Sequence, residues 1–343
     1  MLNEYQGRDA YVGIDLAIAK RKALPIVFVV RDANRVVPVP LQKLVARPPR
    51  GHGNAAVLNL EVTLSFVEQA AIYLQKVEAE LGVHIKRIAI DAPRAPAISS
   101  RLRRESEVAL GEMGVSCFTT PSRRDFDLIL EKVGAHLEEG GSEARIPHAN
   151  QLWMLVGFEL FDRLSRIAEC LEVYPQLTVH LLDAARRHKT LDGAVEDQLA
   201  AAAAHTGWPA GLPEEPQLED IGFGSLHDRL DAYLASWVAA LPETGRIAVG
   251  KPPNDAIWAP RLDAPSFQVA APKRRGAQPD ISDEPSYQPA KHQRICPACG
   301  EHEFKRWPFG WDSHAAHRCP GLTATGPAER KAEFKRRFSA LFS

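Results

Sequence analysis

The chain has 343 residues, 45% of them apolar and 25% charged, which excludes a wholly disordered or collagen-like chain. Its 42 Lys and Arg stand against 43 Asp and Glu, for a net charge of −1. That balance excludes a uniformly basic nucleic-acid coat but leaves room for a local basic patch. No apolar run approaches the ~18 residues of a membrane span, and residues 1–10 lack a basic segment followed by an apolar core. Neither a membrane partner nor a secretory leader is expected.

In chain order, the first strand is expected at Tyr11–Leu16, followed by the basic turn Lys20-Arg21-Lys22 and an apolar strand over 25–30. A third, proline-bearing strand, Val36–Val39, suits a sheet edge. Residues 46–54, with Pro48, Pro49, Gly51 and Gly53, read as loop. Phe66, Ala70, Tyr73, Leu74, Val77 and Leu81 then recur at helical spacing, and Gly82 is placed to stop the helix. A strand His84–Asp91 follows, closed by Pro93, then a helix over 99–113 and a strand-like Val115–Phe118. A helix over 148–168 leads into a strand Glu169–Tyr174. The Ala-rich stretch 199–204 is expected to be helical. A last helix over 225–241 carries Leu226, Leu230, Leu234, Val238 and Leu241 on one stripe. Three successive strands followed by strand–helix alternation predict an α/β fold with a mixed sheet flanked by helices.

This core unit is expected over residues 8–262. Residues 263–294, punctuated by Pro265, Pro272, Pro279, Pro285 and Pro289, read as a flexible linker. A small C-terminal module is expected over 295–343.

Acidic residues fall at the ends of these elements. Asp15 sits in an otherwise apolar strand, and Asp91 ends Ile-Ala-Ile-Asp-Ala-Pro. Glu172 lies in Leu-Glu-Val-Tyr-Pro. Asp228 and Asp231 are three apart on the last helix and share a face. A carboxylate in an apolar strand is costly unless it is paired or holds a cation. Oxygen-only clusters suit Mg²⁺ or Mn²⁺, and two such ions about 3.5–4 Å apart can clamp both oxygens of a phosphoryl transfer. Each acid also has a plainer reading. Asp228 suits the positive end of a helix, and Glu172 can pair with Arg101 or Arg104.

Gly13-Ile14-Asp15-Leu16-Ala17, Ile90-Asp91-Ala92-Pro93, Glu172-Val173-Tyr174-Pro175 and Asp228-Arg229-Leu230-Asp231-Ala232 occur in one order. Gly250-Lys251-Pro252 and Ile257-Trp258-Ala259-Pro260 close the series. In this the chain resembles domain-of-unknown-function family 429, described as predicted nucleases with a ribonuclease H-like fold. The resemblance covers residues 11–262. It implies a metal site at Asp15, Asp91 and a last-helix acid, Asp231 or Asp228, with phosphodiester hydrolysis as the reaction. In that scheme Asp15 bridges the ions, Asp91 and Asp231 bind one each, and Glu172 or Asp228 assists. Two rival readings are an inactive scaffold or interaction protein on the same fold, and a nucleotide-binding protein of the actin and sugar-kinase type. The latter needs a second domain copy and glycine-rich phosphate loops, and the sequence offers neither.

Five cysteines are present; Cys117 and Cys170 stand apart, while Cys296, Cys299 and Cys319 crowd the C-terminal end. This pattern points to a reducing, cytoplasmic location with one metal site rather than to a disulfide framework. Cys296-Pro-Ala-Cys299 is a zinc knuckle, and His314, His317 and Cys319 follow. A tetrahedral Zn²⁺ wants four N or S ligands. The three cysteines supply three, and His314 is the expected fourth, with His317 the alternative. A module this short needs such a staple. From residue 291 onward ten Lys/Arg face five acids, and Arg330–Phe338 reads as a basic helix. That excess fits a nucleic-acid partner, DNA or RNA; docking to a protein through the zinc module is the other option.

Overall fold

In the computed structural model the described residues are 2–99, 103–184 and 193–262, together with 296, 315, 319, 322–323 and 327–337. The chain divides into two compact units, Met1–Lys273 and Arg274–Ser343.

The first unit is built on a five-stranded mixed sheet in the order β3-β2-β1-β4-β5. Its strands are β1 (Asp9–Asp15), β2 (Ile26–Asp32), β3 (Arg35–Pro38), β4 (His84–Asp91) and β5 (Glu169–Glu172). The pairs β1–β2 and β2–β3 are antiparallel, and the pairs β1–β4 and β4–β5 are parallel. The physical reason lies in the connections. A two-residue turn joins β2 to β3 and a local loop, residues 16–25, joins β1 to β2, whereas a parallel neighbour requires a long crossover. Helix α1 (Leu60–Leu81) supplies that crossover between β3 and β4. It starts on the Asn59 side chain, which accepts from the N–H groups of Glu61 and Val62, and stops at Gly82, whose φ of 65° is left-handed.

Along β1 and β4 the side chains alternate between two cores. Val12, Ile14, Ile88 and Ile90 join Phe66, Leu74 and Val77 of α1 and Leu160 of α4 (Ala149–Leu164) on one face. The other face is covered by α7 (Leu226–Ala240), where Tyr233, Leu234 and Trp237 bury against Val27 and Val29 of β2. Every residue of α7 from Leu230 to Ala240 is buried. Helix α6 (Ala194–Thr206) contributes Ala202 to that same core. Gly13 is where α7 comes closest to the sheet. A Cβ there meets the Ala232 carbonyl oxygen at 1.9 Å and the Ser236 nitrogen at 2.3 Å. The helix backbone therefore lies directly on the strand backbone, which only glycine permits.

Several elements depart from the sequence expectation. The helix expected over 99–113 is a shorter α2, Glu105–Glu112, and Val115–Phe118 is not a strand. Helix α3 (Arg123–Glu138) was not anticipated, nor were α5 (Pro175–Leu181) and a separate hairpin of β6 (Arg246–Lys251) and β7 (Asp255–Pro260). Among the described residues no helix is long and apolar enough to cross a membrane.

In the second unit, α8 (Pro327–Arg337) forms where the basic helix is expected. Its charges are not all turned to solvent. Arg330 donates to the carbonyls of Ala315 and Cys319, Glu333 accepts from Thr323, and Arg337 pairs with Glu333 at 3.1 Å. Phe334 is fully buried.

Candidate functional site

Asp15 and Asp91 are the last residues of β1 and β4, and they are direct partners in the parallel ladder. Adjacent strands lie ~4.8 Å apart, so two carboxylates are set side by side on neighbouring strand ends. Alternation fixes the face they occupy. Gly13 and Ala89, two residues earlier, lie against α7, so Asp15 and Asp91 point to the α7 side.

Helix α7 runs against the direction of β1 and β4. Near its end, the Ala239 carbonyl accepts from Arg87 Nη1 at 2.6 Å, early in β4. One step further along the strands, Gly13 meets Ala232 and Ser236. The next step reaches Asp15 and Asp91, and the helix turn at that level carries Asp231. The Asp231 side chain is buried. Electrostatics gives the same placement for two of the acids. The Tyr174 phenol is pushed above its ordinary range, first by burial and then by the negative charges of Asp91, Cys117 and Asp231. One hydroxyl thus lies within electrostatic reach of an acid on β4 and an acid on α7.

Glu172 and Asp228 take other roles. Glu172 is buried and gives both oxygens to Arg104, at 2.8 and 2.7 Å. It also accepts from the Arg94 backbone N–H at 2.8 Å. With three donors already on its two oxygens, Glu172 stands in a structural ion pair rather than in the catalytic role expected of it. Burial works against charge on Arg104, yet the Glu172 carboxylate outweighs it and holds the guanidinium above its usual range. Asp255 completes the knot. It lies 3.4 Å from Arg104 Nε and accepts from the N–H groups of Glu105 and Ser106. The sequence signals an arginine for Glu172 but not which one, because the partners are 68 residues apart.

Asp228 closes a capping box at the start of α7, accepting from the Ser225 N–H at 2.9 Å. It also pairs with Lys22 Nζ at 2.8 Å. Its assisting role at a metal is corrected to that of a helix cap, which the spacing Ser225-x-x-Asp228 already signals. Burial pushes the Asp228 carboxyl up, but the bonds from Lys22 and Ser225 prevail and hold it below the usual carboxylate range. A depressed folded-state pKa gives stability that is present above the unfolded value, ~3.9, and lost as pH falls through the folded one. Asp228→Asn is therefore expected to be about 1 kcal/mol less stable than wild type at pH 7. That gap should close as the pH falls below the depressed folded-state pKa, as read by urea titrations across the acid range.

Among the described residues no three or more His, Cys, Asp or Glu side chains are grouped as a single ion would hold them. The donors at the strand ends still suit one class of ion. Mg²⁺ keeps several waters and takes one or two carboxylates, with substrate phosphates filling the rest. Asp15 and Asp91 form such a pair. Beside Asp91 is a small hollow walled by Tyr174, Trp153, Phe118 and the Arg104–Glu172 pair.

In the C-terminal unit Cys296 and Cys319 are both fully buried, with their sulfurs 3.7 Å apart. That is well beyond the ~2.05 Å of a disulfide. Cys299, His314 and His317 lie outside the described residues.

Comparison of the chain with family models, curated proteins and solved structures finds no match.

Proposed function

We propose that the first unit is a ribonuclease H-like, divalent-cation-dependent nuclease that hydrolyses phosphodiester bonds. The observation that carries this reading is the register pairing of Asp15 with Asp91 at the ends of two parallel strands, with Asp231 brought to the same level by α7. Three antiparallel strands leading into two parallel ones support the fold assignment, and the four ordered motifs support the activity. A Mg²⁺ or Mn²⁺ ion held by Asp15 and Asp91 supplies a Lewis acid for the phosphodiester and a more acidic water at neutral pH. Asp231, buried on α7, would help hold a cation at the strand ends. The Arg104–Glu172 pair ties the end of β5 to the start of α2 and takes no part in the chemistry. A catalytically silent scaffold is the second reading, favoured by the lack of a three-carboxylate group among the described residues.

The two readings separate on Asp15→Asn and Asp91→Asn. Under the nuclease reading, each variant loses Mn²⁺-dependent cleavage of an oligonucleotide by at least about 100-fold. Each also loses the rise in melting temperature that Mn²⁺ gives the wild type. A wild type that neither binds Mn²⁺ by calorimetry nor cleaves any nucleic acid establishes the scaffold.

We infer that the C-terminal unit holds Zn²⁺ through Cys296, Cys299, Cys319 and one of His314 or His317. Two Zn–S bonds of ~2.3 Å at the tetrahedral angle place their sulfurs about 3.8 Å apart, close to the 3.7 Å between Cys296 and Cys319. Elemental analysis is expected to find about one zinc per chain, lost in Cys296→Ser. Full retention of zinc in that variant rejects the site.

A further inference from the structure

The face of the first unit that carries α1 has a groove that none of the motifs accounts for. Its walls are the loop 45–52 and the outer side of α1, and they enclose about 900 Å³. The two ends of the loop fix its course. At one end His52 sits edge-on to Phe66, early in α1. At the other, the N–H groups of Val45 and Ala46 donate to Glu80, in the last turn of α1. Loop and helix thus run alongside each other from residue 66 to residue 80, about 21 Å at the helical rise.

The groove is basic. Arg47, Arg50, His52 and Lys76 line it and are exposed. The one acid in its wall, Glu80, is engaged with the loop backbone. Arg47 is held in place by the Leu44 and Ala46 carbonyls and lies over the Phe223 ring, 5.4 Å from its centre. Tyr73 lies in the floor. It is 2% exposed, and its hydroxyl has no hydrogen-bond partner. Burial, the largest influence on it, pushes that phenol above its ordinary range, and the hydroxyl is closed off from solvent beneath the groove. Buried polar groups left in this state are the exception in folded proteins.

The groove also has a fixed relation to the carboxylate pair. The segment leaving Asp15 is stitched to the loop. Gly53 N–H donates to Ile18, Gly51 N–H to Lys22, Arg21 N–H to Gly51 and Leu24 N–H to Pro49. The His52 and Arg50 end of the groove therefore adjoins the chain that carries Asp15.

We propose that this groove binds the phosphodiester backbone of a nucleic-acid strand, with Arg50 and Lys76 contacting phosphates. Its length spans several phosphates of one strand, and its charge matches theirs. No Trp, Tyr or Phe face is exposed along it for base stacking, so it reads charge rather than sequence. The proposal rests on the nuclease reading only for the choice of polymer. Binding in the groove does not require catalysis.

The test uses the full chain in EDTA, where no cleavage occurs. A fluorescein-labelled 15-nucleotide single-stranded DNA is titrated by anisotropy at several salt concentrations. Arg50→Gln/Lys76→Gln is expected to weaken binding by at least about 10-fold and to lower the slope of log K against log salt by about 1.4, two phosphates at ~0.7 each. Unchanged affinity and slope in the double variant overturn the proposal. So does binding of phosphatidylserine vesicles in preference to the oligonucleotide. Mn²⁺-dependent hydrolysis of bis(p-nitrophenyl) phosphate by the wild type is read in parallel. Oligonucleotide binding through the groove in a wild type that hydrolyses nothing supports the groove while rejecting the nuclease.

Discussion

Replacing Arg104 with methionine is expected to destabilise the first unit by about 3–5 kcal/mol. The guanidinium is almost wholly buried and holds both oxygens of Glu172. Its removal leaves a buried carboxylate with one backbone N–H from Arg94 as its partner. The cost arises less from the lost attraction than from the stranded charge. Two signatures follow. First, Glu172 in the variant escapes the penalty by taking up a proton. Burial already raises its folded-state pKa in the wild type; without Arg104 it lies further above the unfolded value, so the variant approaches wild-type stability in acid and falls away from it as pH rises. Second, Arg104→Met/Glu172→Met should recover part of the loss, because apolar side chains of similar volume satisfy the site without charge. Urea unfolding with a constant slope gives both comparisons. A single variant within 1 kcal/mol of wild type at pH 7 contradicts the assignment.

Gly13→Ala is the second large effect. The added methyl falls 1.9 Å from a carbonyl oxygen and 2.3 Å from a backbone nitrogen of α7, and neither can rotate aside. The helix must lift from the sheet, and a cost of about 3 kcal/mol or more is expected. In a unit of this size that lowers the melting temperature by about 6–12 °C. The displacement acts on the turn next to Asp231, so under the proposed nuclease function Mn²⁺-dependent cleavage should fall even at a temperature where the variant is fully folded. Ala10→Gly, on a buried strand position of the same β1, separates the two effects. It loses stability by weakening the strand and leaves the separation of α7 from β1 as it is.

The elements legible in the sequence are those whose pattern is local. Ile88-Ala89-Ile90-Asp91 declares a buried strand and its end. Phe66 to Leu81 declares α1, and Gly82 stops it where expected. Helix α3 was legible too, although the expectation left it out. Ser122-x-x-Asp125 is a capping box that forms as the motif prescribes, and Phe126, Ile129 and Val133 follow at helical spacing. The roles of the acids were legible only in part. A strand-end position foretells the pairing of Asp15 with Asp91, because parallel strands in register bring their ends together. The fate of Glu172 depends on an arginine 68 residues away, and a single sequence carries no record of long-range partners. Asp228 and Asp231 look alike three residues apart. One lies in the first turn of α7, where free N–H groups claim it, and the other lies a turn deeper against the sheet.

The burial of α7 has a bearing on how the protein is made. β1 and β2 form the start of the chain, yet the helix that covers their Val27 and Val29 face comes roughly 210 residues later. At the ~5–20 residues per second of synthesis, that apolar face waits about 10–40 s on the ribosome before its cover is translated. The nascent chain is then a sheet with one oily side, a natural client for chaperones, and truncation anywhere ahead of Leu226 leaves it in that state for good.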